Sequence, residues 1–168
     1  MNIYTIIILA AIVAEFILSV AANALNLKSL SKSVPEEFEG VYDEDTYARS
    51  QQYTRENTRF GFIAGTFNLA VLIAFWFAGG FNWLDQWARS FGYGEVITGL
   101  IFIGVLVIGR SLLSLPFSIW STFVIEERYG FNQTDAKTFV SDLLKGLMLS
   151  MLIGAPLLAG IIAFFAYG

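Results

Sequence analysis

The stretch LPFSIWSTFVIEERYGFNQT, residues 115–134, decides how the chain is read. It opens with Pro116 inside an apolar helical pattern and closes on Glu126-Glu127-Arg128-Tyr129-Gly130-Phe131-Asn132. Long apolar runs lie on both sides of it. The chain therefore leaves a membrane here, turns through a charged and aromatic segment, and goes back.

Composition supports this. Of 168 residues, 56% are hydrophobic and 14% charged, against roughly 25% charged in an average soluble domain. Mean hydropathy is +0.63, more apolar surface than a soluble core of this size can hide. The net charge of −4 argues against nucleic acid as a partner. There is no cysteine and no histidine, so thiolate chemistry, the commonest general base and the commonest metal ligand are all missing.

Four apolar runs of membrane-crossing length follow, at about 2–25, 60–79, 96–120 and 143–167. The expected fold is all-α, a polytopic membrane protein with four transmembrane helices and a helical first loop. Ala22-Asn23-Ala24 resembles a signal-peptide cleavage site, but no Lys or Arg precedes the run and it exceeds a signal core in length. It is read as a retained helix.

Glu15 lies in that first run, where a carboxylate is costly and normally faces a bundle interior or water. Ala11, Glu15, Ser19 and Asn23 recur every four residues on one face. That face is either the polar lining of a cavity or a hydrogen-bonded helix contact. Arg110 lies at a similar depth in the third run, which allows a Glu15–Arg110 pair as a hypothesis. Gly61 and Gly65 form a small-residue pair in the second run, with Asn68 near the same face. Gly146, Ser150 and Gly154 repeat that spacing in the fourth. Pro116 removes a backbone hydrogen bond and is expected to kink the third helix.

The connections are equally distinct. In residues 26–59, Ser33-Val34-Pro35-Glu36 fits a capping box, and Asp43 or Asp45 is placed to cap a second helix. The mixed charges there suit a solvated helical hairpin. Residues 81–95 read as a short loop whose Trp83, Trp87 and Tyr93 suit a membrane surface, or a plug over the bundle end. Thr134 or Asp135 caps the last helix. Lys28, Lys32, Arg49, Arg55 and Arg59 mark the first loop, and Arg128, Lys137 and Lys145 the third, against Arg89 alone in the middle one. By the positive-inside rule the first and third loops are cytoplasmic.

Catalytic machinery is not visible. Glu126 and Glu127 are adjacent and would point about 100° apart on a helix, unsuited to holding one metal. No phosphate loop and no Ser/His/Asp arrangement occurs. Read from its residues alone, the chain is a helical membrane bundle with Glu15, Asn23, Asn68 and Arg110 inside it and one charged turn at its edge.

Leu115-Pro116-Phe117-Ser118, Phe123-Val124-Ile125-Glu126-Glu127 and Gly130-Phe131-Asn132 carry a resemblance. Val34-Pro35, Asp43, Thr46, Ser50, Tyr53, Phe60 and Phe62 extend it into the first loop. The chain resembles the N-terminal membrane half of the type I CAAX prenyl proteases, integral-membrane zinc metallopeptidases. The resemblance implies that 1–168 is a non-catalytic membrane domain forming part of the wall of a water-filled chamber and its cytoplasmic entrance. Glu126, Glu127, Arg128, Phe131 and Asn132 would then shape the chamber mouth.

The family's zinc site, a His-Glu-x-x-His helix with a later glutamate, has no counterpart here. Zinc and peptidase activity are therefore expected only of a full-length parent, with this chain a fragment or truncated piece lacking the catalytic domain. The resemblance implies a lipid bilayer, that zinc domain, and a prenylated or membrane-protein substrate as partners. It places the protein in the endoplasmic reticulum membrane of a eukaryote or the inner membrane of a bacterium. The competing readings are a small stand-alone transporter or channel subunit, or a structural membrane protein. A transporter should show an inverted repeat, and the two helix pairs show no convincing similarity.

Overall fold

The computed structural model describes residues 2–30, 34, 40 and 43–168. Among these residues five helices follow in order: α1 (Ile3–Ser29), α2 (Glu44–Phe77), α3 (Gly80–Arg89), α4 (Glu95–Trp120) and α5 (Ala136–Tyr167). α4 does not stop at Trp120. It runs on through a π-helical turn, Ser121–Glu126, and a last α-helical turn, Glu127–Tyr129. No strand occurs among the described residues. Among the described residues, four helices are long and apolar enough to cross a membrane: Ile3–Ser29, Glu44–Phe77, Glu95–Tyr129 and Ala136–Tyr167.

Local chemistry sets the starts. Asn2 Oδ1 accepts from the backbone N–H of Tyr4 at 2.6 Å and of Thr5 at 3.3 Å, capping α1. Asp43, of the two candidates, caps α2: its Oδ2 accepts from Thr46 N at 2.9 Å and the Thr46 hydroxyl at 2.8 Å. Those bonds hold the Asp43 carboxyl below the usual aspartate range, the backbone one most. Asp135 rather than Thr134 caps α5, accepting from Thr138 N at 2.7 Å. The capping box read at Ser33–Glu36 lies outside the described residues apart from Val34.

Two expectations about the connections are corrected. The polar segment after Asp43 and the second apolar run are one continuous helix of 34 residues, not a loop helix followed by a membrane helix. No proline interrupts the junction at Arg59-Phe60, and the helix runs on through glycines 61 and 65. Residues 81–95 are not simply a loop either. Gly79, at φ +76°, reverses the chain and α3 follows at once.

The described chain divides into two compact units, Met1–Phe67 with Ile119–Asn132, and Asn68–Ser118 with Gln133–Gly168. In the first, Gly65 lies in ordinary contact with Phe16 of α1, 3.6 Å from where a Cβ would stand, whereas a Cβ at Gly61 would meet nothing within 4 Å. Ile125, inside the π-helical turn, is 1% exposed. In the second unit, Leu84 and Ala88 of α3 are buried while Trp83 and Trp87 on its other side are exposed. Phe81 packs edge-on against Phe75 (4.9 Å) and Trp76 (5.7 Å). Arg89 bridges Asp85 at 3.0 Å and Glu95 at 3.2 Å, tying the two ends of the α3–α4 connection.

The small-residue stripe read at Gly146, Ser150 and Gly154 is not the packing contact of the last helix. A Cβ at Gly146 or Gly154 would meet nothing within 4 Å, but one at Gly99 would stand 2.8 Å from Ile162 Cδ1. α4 and α5 therefore approach each other at Gly99, against the tip of the Ile162 side chain. The hydroxyls of Thr66, Ser111 and Ser118 each donate to the carbonyl four residues earlier, at 2.7, 2.9 and 3.3 Å. These three hydroxyls are thus satisfied within their own helices.

Candidate functional site

The charged turn is built by one glycine. Gly130 takes φ +77°, a left-handed conformation that costs a side-chain-bearing residue roughly 1–2 kcal/mol. With the chain reversed there, Phe131 N donates to Glu126 O at 2.9 Å and Gly130 N to Glu127 O at 3.1 Å. This pair of bonds is a Schellman closure of the helix end. Asn132 N also reaches Glu126 O at 3.3 Å, and Asn132 Nδ2 donates to Glu127 Oε2 at 2.9 Å. The Glu-Glu-x-x-Gly-Phe-Asn pattern is therefore a self-bonded turn, in which Glu126 supplies its carbonyl and Glu127 its carboxylate.

The π-helical turn directly before it aims the turn's side chains. Wrapping one extra residue into a turn moves everything after it out of α-helical phase by about 100°. Arg128 and Tyr129 come to face the polar half of α2. There the Glu56 carboxylate takes both: Oε1 accepts from Arg128 Nη1, and Oε2 from the Tyr129 hydroxyl at 2.9 Å. Tyr53, one turn earlier on α2, meets Tyr129 edge-on at 5.5 Å and Phe131 at 4.8 Å. A carboxylate clamp and three aromatic rings thus lock the 126–132 turn onto α2. Alongside lies a cavity of about 290 Å³, lined by Gln52, Arg55, Glu56, Arg59 and Tyr129.

The structure brings together Arg128 and Phe131 through α2, and Glu127 with Asn132 within the turn. Glu56 escaped the sequence reading. Its partners are 72 and 73 residues away, and a glutamate in a mixed-charge helix carries no local signal. Glu15 and Asn23 are exposed on α1 in the first unit, while Asn68 and Arg110 are exposed in the second. Pro116 sits within α4, five residues before the π-helical turn begins.

A metal does not fit these residues. Among the described residues no group of three or more Asp or Glu side chains converges to hold one, and the chain has neither His nor Cys.

Residues 23–168 match the family described as CAAX prenyl protease N-terminal, five membrane helices. The chain belongs to that family. The CAAX prenyl protease relatives include a probable CAAX prenyl protease 1 of Schizosaccharomyces pombe, 37% identical over 130 residues, covering 67% of this chain and 27% of the relative. A CAAX prenyl protease 1 homologue of Oryza sativa is 32% identical over 147 residues, covering 83% and 34%. The crystal structure of S. mikatae Ste24p superposes with a TM-score of 0.82 at 29% identity, covering 94% of this chain and 38% of that one. The chain spans about a third of the length of these relatives. The family description counts five membrane helices, whereas four among the described residues are long enough to cross; α3, at ten residues, is too short.

Proposed function

We propose that this chain is the membrane half of an integral-membrane zinc metalloendopeptidase of the CAAX prenyl protease type. The family match over 23–168 carries the proposal, supported by the superposition on Ste24p. In this reading 1–168 acts as one N-terminal domain, and its helices form part of the wall of a water-filled chamber. Glu15, Asn23, Asn68 and Arg110 line polar stretches of that wall, and Pro116 bends it. The turn at Glu126–Asn132, held by Glu56, forms one edge of the substrate entrance.

The distribution of Lys and Arg supports a cytoplasmic position for that entrance. The zinc site belongs to the part of the relatives that lies beyond their match to this chain, since the residues here do not fit one. The substrate is a prenylated C-terminal CAAX sequence or another membrane protein, and the membrane is that of the endoplasmic reticulum or the bacterial inner membrane.

The test is an assay on membranes containing the full-length gene product and a prenylated peptide ending in a CAAX sequence. Release of the last three residues, abolished by a zinc chelator and restored by zinc, is expected. A full-length product that is folded and inserted but releases nothing from prenylated or unprenylated peptides would contradict the proposal.

A further inference from the structure

The clamp leaves an imbalance of charge beside it. Glu56 is the one carboxylate lining the 290 Å³ cavity, and both of its oxygens are engaged by Arg128 and Tyr129. Arg55 and Arg59 line the same cavity, four residues apart on one face of α2. Neither forms an ion pair with a described residue, although Glu56 is three positions from Arg59. Like charges at this spacing repel by a few tenths of a kcal/mol on a bare helix. Arg55 is half-buried and Arg59 exposed, so both present their guanidiniums at the cavity without a carboxylate partner of their own.

Position identifies what compensates them. Arg59 directly precedes Phe60, where the apolar run of α2 begins. The two guanidiniums therefore lie at the depth where a membrane's headgroups sit, Arg55 about 6 Å further out along the helix. Guanidinium groups bind phosphate oxygens in a bidentate fork, and Gln52, one turn further out, adds an amide donor to the same cavity. We propose that Gln52, Arg55 and Arg59 form a binding site for the phosphate of an anionic membrane lipid. The lipid's acyl chains run along the apolar part of α2, and its phosphate supplies the charge that Glu56 cannot. This site is independent of the peptidase reading.

The test uses the full-length gene product that contains this chain, in phosphatidylcholine nanodiscs with a minor fraction of phosphatidylglycerol, read by native mass spectrometry. Wild type should retain phosphatidylglycerol. The Arg55→Gln/Arg59→Gln variant should lose about 25-fold in apparent affinity, roughly fivefold per arginine, and Arg55→Lys/Arg59→Lys, which keeps the charge but not the fork, should fall between it and wild type. Millimolar inorganic phosphate should not displace the lipid. Unchanged retention by the Gln variant overturns the proposal, as does displacement by free phosphate, which would make the site one for small anions. Should the Gln variant fail to fold, a photoreactive phosphatidylglycerol on wild type decides. Crosslinks on residues 52–59 support the site, and crosslinks confined elsewhere overturn it.

Discussion

Replacing Glu56 with alanine removes, among the described residues, the one group that ties the 126–132 turn to α2 by charge. The cost can be worked from the contacts. The Glu56 side chain is 32% exposed and that of Arg128 56% exposed, so solvent screens the ion pair to about 0.5 kcal/mol. The Tyr129 hydroxyl donates to a charged acceptor at 2.9 Å, a bond worth about 1.5 kcal/mol. Their sum, about 2 kcal/mol, corresponds to a roughly 30-fold rise in the population of an opened turn. The Tyr53 contacts with Tyr129 and Phe131 survive the substitution, so opening stays local.

Hydrogen exchange reads this directly, because the amides of Phe131 and Asn132 both donate to Glu126 O. In Glu56→Ala these amides should exchange about 30-fold faster, and in Tyr129→Phe about tenfold faster. The α3 amides should be unchanged. Acceleration under twofold in both variants, or equal acceleration in α3, would refute the clamp.

Gly130→Ala should destabilise the protein by roughly 1–2 kcal/mol in a denaturant or SDS titration. The backbone alone sets the cost, since a Cβ there meets nothing within 4 Å; a neutral result would mean φ is not positive. Gly99→Ala should cost under about 1 kcal/mol because only the flexible end of Ile162 must shift, while Gly99→Leu should cost about 1–3 kcal/mol; equal effects would contradict the close approach of α4 and α5. Asp135 is held below the usual aspartate value of about 3.9 by its bonds to the Thr138 hydroxyl, first, and amide. Its cap therefore stabilises α5 fully above that value and is lost as pH falls through the lowered one. Carboxyl titration by NMR checks this, and a value at or above the usual one would refute it.

The four membrane-crossing helices were legible because length and apolar content alone decide them. Asp43 and Asp135 were legible as caps, each within a pair of alternatives that only geometry resolves. The turn at Gly130-Phe131-Asn132 was visible as a motif, but its cause, the left-handed Gly130 and the bonds to Glu126 O, was not. Three features had no local signature. The π-helical turn at Ser121–Glu126 changes the phase of Arg128 and Tyr129 without any residue type that announces it. Glu56 finds its partners across 72 residues. The small-residue stripes misled in part, because Gly146 and Gly154 have the right spacing but Gly99 makes the contact. Spacing marks where helices are able to approach, and the three-dimensional arrangement decides where they do.

The most direct test of the central claim is to read the coding sequence of the parent gene beyond the codon for Gly168. The account predicts a His-Glu-x-x-His segment within the next one or two hundred residues, roughly one further domain, in a reading frame continuous with this chain. A stop codon directly after Gly168, or a continuation without that segment, would contradict the claim that this chain is half of a zinc peptidase.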